Sequence, residues 1–267
     1  MRSLGIPLAF ALILVVLIPV AESAQKGGLA DRVAQLEAQV AAMEEILQFV
    51  YVETEPINNL AGPHWIIEGA NVHVRSGSGD THDGCVLFGP GYPSCESLTG
   101  LGNVIVGYNE VRRRGSTLRT GSHNVVVGRS HSYSSFGGLV AGLANNISGA
   151  FASVSGGQHG FAVGDYSSVS GGSANLATGD SSSVSGGFNS YAAGDYSSVS
   201  GGFVNTASGD YSSVSGGSSN EASGTRSSVS GGVLNEASGQ RSSVSGGQGR
   251  DAPDDSSWAA GSLFEEN

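Results

Sequence analysis

Lysine is almost missing from this chain: Lys26 stands alone in 267 residues. Lys and Arg together number 12 against 23 Asp and Glu, for a net charge of -11. Binding a nucleic-acid backbone requires clustered cations to neutralise phosphates, so nucleic acid is not an expected partner. Cysteine occurs twice, which excludes a Cys-rich metal centre and a dense disulfide framework. The histidines are few and scattered. Of His64, His73 and His82, only His82 is flanked by carboxylates, Asp80 and Asp83. No metal site is expected among them. No Ser-His-Asp grouping or paired carboxylate stands out, so neither a nucleophilic hydrolase nor a glycosidase is indicated. Apart from the N-terminus, no stretch is apolar enough to cross a membrane.

Glycine, in contrast, occurs 43 times. Gly with Ser at this level reads as a linker or disorder, but here the residues keep strict columns. Ser-Val-Ser-Gly-Gly recurs with its valines at Val154, Val169, Val184, Val199, Val214, Val229 and Val244, a step of fifteen each time. Ala162, Ala177, Ala192, Ala207, Ala222, Ala237 and Ala252 keep the same step, as do the glycines from Gly149 to Gly239. A fixed short period means stacked coils, each touching its neighbours. Each unit reads as two short strands joined by glycine turns, with Val and Ala pointing inward. Asn145, Asn175, Asn205, Asn220 and Asn235 are placed to form a side-chain ladder along the axis.

Two earlier segments, Asn103–Gly107 and Asn124–Gly128, repeat one another, and Leu139–Gly142 is in register with the later units. The glycines closing successive strands, from Gly107 to Gly261, mark eleven turns. The fold class is therefore all-β: a parallel β-roll or β-solenoid of about eleven coils of 14–15 residues over 101–261, about 50 Å long at ~4.8 Å per strand. One Val and one Ala per unit make a thin core, so lateral packing of several rolls is expected.

Upstream, Arg2 precedes an apolar run from Leu8 to Val20, followed by Ala21-Glu22-Ser23. This reads as a secretory signal peptide over residues 1–23, the alternative being an uncleaved membrane anchor. Residues 24–52 read as a helix. Leu29, Val33, Leu36, Val40, Met43, Leu47 and Val50 follow an a/d heptad pattern with polar flanks, which indicates a short parallel coiled coil. Val at a with Leu at d leans towards dimers and does not by itself set the chain number. Pro56 and Pro63 are expected to end the helical region. The connector, residues 53–100, is expected to hold short strands at Trp65–Ile67 and Val72–Val74. Its Cys85 and Cys95 are expected to pair as one disulfide in an exported protein.

The Ser-Val-Ser-Gly-Gly…Asn-x-Ala-Ser-Gly unit resembles the head repeats of YadA-like trimeric autotransporter adhesins, over roughly residues 101–261. The heptad segment resembles the stalks of the same family. The resemblance implies a left-handed parallel β-roll, a homotrimer and an adhesive role at a bacterial surface. Two features depart from the family. The coiled coil precedes the roll here, and no amphipathic strands follow Gly261, so self-anchoring in an outer membrane is not expected.

The candidate sites lie in the irregular parts. An insertion from Glu110 to Thr120 holds Arg112, Arg113, Arg114 and Arg119, a basic cluster in an acidic chain that suits an anionic glycan or an acidic partner surface. Asp165, Asp180, Asp195 and Asp210 form a column that suits solvated turns better than Ca²⁺. Arg226 and Arg241 share units with Glu221 and Glu236 and are expected to form surface pairs. The rows typified by Ser168 and Ser170 offer a flat polar face to solvent, a sugar, ice or a neighbouring chain. Trp258, near the Val column, is expected to plug the open end of the roll; residues 262–267 are a tail. The functional expectation is an exported, non-enzymatic adhesin-like protein without cofactor, at the cell surface, extracellular or periplasmic. Its expected partners are its own copies and a host or matrix surface or glycan. The alternatives are a structural or surface-layer component without a ligand, and a rod-shaped carbohydrate-active enzyme.

Overall fold

A computed structural model describes residues 28–85, 98–111 and 117–261. The expected signal peptide and the C-terminal tail lie outside them. Among the described residues no helix is long and apolar enough to cross a membrane. The chain divides into two compact units, Met1–Val72 and His73–Asn267.

Among its described residues the first unit holds one helix, α1 (Leu29–Leu47). Its entry is capped by Asp31, whose carboxylate accepts the Gly28 N–H at 3.0 Å, satisfying one of the free donors of the first turn. The heptad residues from Leu29 to Leu47 lie on this helix, but Val50 does not. The helix stops well before Pro56, because Phe49-Val50-Tyr51-Val52 is a run of aromatic and β-branched side chains that favours extended backbone. That run forms β1 (Val50–Glu53), which pairs antiparallel with β2 (His64–Ile67), Val50 opposite Ile67 and Glu53 opposite His64. The expected strand at Trp65–Ile67 is present. The one at Val72–Val74 is not: those residues are extended, exposed and without a partner strand.

The second unit is a parallel β-solenoid. One sheet has eleven strands, beginning with β3 (Val104–Val106) and β4 (Val125–Arg129), and the other has nine. About nine turns are thus complete, fewer than the eleven marked by glycines, because the second sheet starts one strand later and ends one strand earlier. The register is strict: Ser168 lies opposite Ser183 and Val169 opposite Val184, and the same pairing recurs along the sheet. Strands are only two residues long in each repeat. Backbone bonds between coils extend well beyond them. The coil from Ser168 to Ser182 donates to the next coil from Ser168, Ser170, Ser173, Leu176 and Thr178, and to the previous one from Ala174 and Ser181.

The core is the pair of columns expected. The valines from Val154 to Val244 and the alanines from Ala162 to Ala252 are at most 1% exposed. Two polar columns share the interior. Asn205 is fully buried; its Nδ2 donates to the Gly201 and Gly217 carbonyls at 2.7 and 3.0 Å, and its Oδ1 accepts the Asn220 N–H at 3.0 Å. The Asn ladder is therefore side chain to backbone rather than amide to amide. Each amide is already engaged by main-chain groups of its own and the next coil, which leaves it no bond for another amide. In an earlier coil His131 takes the Asn role: its Nδ1 accepts the Asn145 N–H at 3.2 Å and its Nε2 reaches the Val127 carbonyl at 3.0 Å. The second polar column is serine. Ser167, Ser182, Ser197, Ser212, Ser227 and Ser242 are buried, and their hydroxyls have no hydrogen-bond partner among the described residues.

The two glycines of each Gly-Gly pair differ. Gly187 has φ +89, and a Cβ there would run into the Gly202 carbonyl oxygen of the next coil. Gly186 faces open space. Only the second glycine of the pair is demanded by backbone and packing together.

Candidate binding surfaces

Each coil turns two corners. The first follows the Ser-Val strand and carries Gln158, Ser173, Phe188, Phe203, Ser218, Val233 and Gln248 in one column, joined coil to coil by single parallel bridges. The second follows the strand of the other sheet and carries Asp165, Asp180, Asp195 and Asp210.

The two corners are chemically unlike. On the first, Phe188 and Phe203 stack with ring centres 5.4 Å apart and planes 8° from parallel. On the second, Tyr196 and Tyr211 stack at 4.9 Å, and the Arg226 guanidinium sits 5.6 Å from the Tyr211 ring centre, within the range of a cation–π contact. Arg226 spends its charge there. Neither it nor Arg241 comes within ion-pair distance of Glu221 or Glu236, so the expected surface pairs do not form. The reason is placement: the glutamates lie on the outer face of the nine-stranded sheet, and the arginines lie past the strand end, in the left-handed turn. Glu221 and Glu236 are instead in register with each other on adjacent strands.

The Asp column belongs to the turn. Asp180 Oδ1 accepts the Asp165 N–H at 3.0 Å, Asp195 accepts from Asp180 at 2.9 Å and Asp210 from Asp195 at 3.1 Å. Each carboxylate thus staples the preceding coil's turn, the favourable use of Asp beside a free backbone donor. Among the described residues no group of three or more His, Cys, Asp or Glu converges as a metal site would.

Arg112, Arg113 and Arg114 lie outside the described residues. Arg119 is half-buried rather than reaching into solvent. Its Nη2 donates to the Glu110 carbonyl oxygen and its Nε to that of His131 at 3.4 Å. It holds the ends of the insertion to the first coils.

The densest polar site was not legible in the sequence. Asp83 is buried at the base of the solenoid. Its carboxylate accepts from the Ser76 hydroxyl at 2.7 Å, the Thr99 amide at 2.6 Å, the Thr99 hydroxyl at 2.5 Å and the Ser122 hydroxyl at 2.6 Å. Burial alone would raise its pKa, but hydrogen bonds from the hydroxyls of Ser122, Ser78 and Thr99 and the Thr99 amide outweigh it, holding the carboxyl far below the usual range. No spacing announces this knot, since its members are spread from Ser76 to Ser122. Close by, Cys85 is disulfide-bonded and packs with Phe136 and Ala150; Cys95 lies outside the described residues. The site ties Ser76, Asp83 and Thr99 to Ser122 of the first coils, a structural task.

Trp258 is not a plug. It lies opposite Ser243, outside the core column, while Ala259 lies opposite Val244. Trp258 is 67% exposed and its indole N–H donates to the Ser245 hydroxyl at 2.8 Å. The column alternates inward and outward, and Trp occupies an outward position.

On the first unit, a shallow groove follows α1 between Val33, Leu36, Glu37, Val40, Ala41 and Glu44. No residue of the helix is buried, and Trp65, Tyr51 and Val52 of the hairpin are exposed as well. The chain matches no protein-family model and no curated protein.

Proposed function

We propose that the protein is an exported, non-enzymatic rod that assembles from identical chains, three of them by its resemblance to YadA-like heads and stalks, and acts as an adhesin-like surface binder. The observation that carries the assembly is the state of the first unit. Leu29, Leu36 and Val40 are 80%, 59% and 47% exposed, and the two-stranded hairpin shows its apolar side chains to solvent. A lone helix of this length and a lone hairpin are both marginal in water. The heptad seam needs a facing seam, and identical chains supply it. The left-handed sense of the coils and the threefold count are part of this reading.

The adhesive role rests on the exposed aromatic and charged columns of the solenoid and on the Arg112–Arg119 insertion, suited to a glycan or matrix surface. A structural component without a ligand is the second reading. It is favoured by the Asp column and Arg119, whose polar groups are already engaged within the chain.

The mass of the intact secreted complex, measured at micromolar concentration, tests the assembly; three chain masses are expected and a monomer overturns it. Glycan-array and cell-binding assays on the assembled protein then separate the two roles. Binding supports the adhesin, and its absence across both assays supports the structural rod.

A further inference from the structure

From Leu139 to Gly247 the chain has eight charged residues: Asp165, Asp180, Asp195, Asp210, Glu221, Arg226, Glu236 and Arg241. All of them lie on the second corner or on the outer face of the nine-stranded sheet. The outer face of the eleven-stranded sheet carries paired serines there, such as Ser168 and Ser170. The first corner carries Gln, Ser, Phe, Val, Leu, Ala, Asn and Gly there, with His159 its one titratable side chain. Its large apolar residues are far from buried in the single chain: Phe188 is 47% exposed, Phe203 52%, Val233 41% and Leu234 59%.

We infer that the first corner is where the rods of neighbouring copies meet, so that the corners bearing Phe188, Phe203, Val233 and Leu234 converge on the assembly axis and the Asp-Tyr-Arg corner faces outward. The inference rests on the oligomeric reading above and specifies its geometry. Three arguments commit the surface to a second copy of this chain. The first is electrostatic. Chains of net charge -11 repel one another, and the repulsion is least where neither surface carries charge within a screening length, about 8–10 Å at physiological salt. The first corner is that strip.

The second argument is periodic. In a cyclic assembly the same coil of each copy lies at the same height, so each Phe203 faces its own symmetry mates and the Phe188–Phe203 stack is matched along its length. The third is size. The column from Leu143 to Gln248 is joined by seven bridges, which at about 4.8 Å each give a strip about 34 Å long. At a width of about 15 Å it supplies roughly 500 Å² per partner, a large part of what a stable interface buries, and the α1 seam adds to it. Aromatic enrichment with charge depletion is the composition of an interface centre.

Phe203 and Tyr211 provide an internal control, because their exposures in the single chain are nearly equal, 52% and 54%. Hydroxyl-radical footprinting of the full chain, with each residue's oxidation divided by its value in the urea-unfolded chain, reads their accessibility. Phe188 and Phe203 are expected to be protected about five-fold more than Tyr196 and Tyr211, as at a desolvated interface centre. Leu234→Asp and Tyr211→Asp form a matched pair, since both positions are exposed and in the left-handed backbone region, φ 57 and 59. Leu234→Asp is expected to remove the protection of Phe203, and Tyr211→Asp to leave it. A wild-type chain that is monomeric by mass overturns the oligomeric reading and this inference with it. An oligomer in which Phe203 and Tyr211 are equally reactive, or in which Leu234→Asp leaves the protection intact, overturns this inference alone.

Discussion

The helix α1 and the solenoid are both built on a repeat, yet they treat their apolar residues in opposite ways. In the solenoid, Val199 and Ala207 are covered by the coils before and after them and are at most 1% exposed. In the helix, Leu36 and Val40 remain open to solvent. A fifteen-residue unit finds its partner in the next unit of the same chain. A heptad finds none there, because an α-helix directs its seam sideways. One repeat therefore builds a fold within the chain, and the other leaves its apolar seam open in the single chain.

Five experiments test that contrast. The largest effect is expected from Leu36→Asp, which places a charge on the seam. Assembly should weaken by about 100-fold or more while the β-rich circular dichroism of the solenoid persists. If the solenoid unfolds as well, the two units depend on one another more than proposed.

Next comes the Gly-Gly pair. Gly187→Ala should cost about 2–4 kcal/mol through left-handed backbone strain and a clash with the next coil. Gly186→Ala should stay within about 0.5 kcal/mol. Equal urea midpoints for the two variants would contradict the close approach at Gly187.

The interior polar columns make the third test. Asn205→Ala removes a buried amide with bonds to three backbone groups and should destabilise by about 2–4 kcal/mol. Ser197→Ala removes a buried hydroxyl that has no partner and should be neutral or stabilising by up to about 1 kcal/mol. Hydrogen exchange in the flanking coils reports each locally, since a solenoid opens by neighbouring units rather than all at once.

A smaller and pH-dependent effect belongs to Asp83. Its folded pKa is depressed below the ordinary aspartate value of 3.8, so its contribution is fully present above that value and is lost as pH falls below it towards the folded pKa. Unfolding midpoints should decline as pH drops below about 4. Asp83→Asn should cost about 2 kcal/mol at neutral pH and flatten that acid decline; an unchanged slope would show that other carboxylates govern it.

The smallest effect is a gain. Ala174 has φ 57, which a side chain disfavours. Ala174→Gly should relieve about 0.5–1 kcal/mol, read as a higher thermal midpoint, and a lower one would mean that unfolded-chain entropy outweighs the strain.

Much of the fold was legible because it is periodic. The fifteen-residue columns specified a stack of coils, and the alternation within Ser-Val-Ser specified which side chains turn inward; both follow from local geometry that repeats without slippage. The heptads likewise located α1, although not its end, where a β-branched run overrode the pattern at Val50. Function-bearing places were harder to read. The Asp column reads as a turn, but the Glu-Arg units and Trp258 look plausible as an ion pair and a plug. Their actual contacts depend on which outward direction each turn takes.

What the amino-acid sequence determined by itself is the period, the inward columns and the apolar seam of the helix, since each is a property of spacing along one chain. What only the tertiary structure decided is everything that spacing does not encode. The Asp83 knot gathers Ser76, Thr99 and Ser122 across three separate segments. The separation of a charge-free corner from a charged one arises because two positions a few residues apart in sequence fall on opposite edges of a flattened coil. Side-chain chemistry is written in the chain, but which surface it shares is set by the turn between the strands.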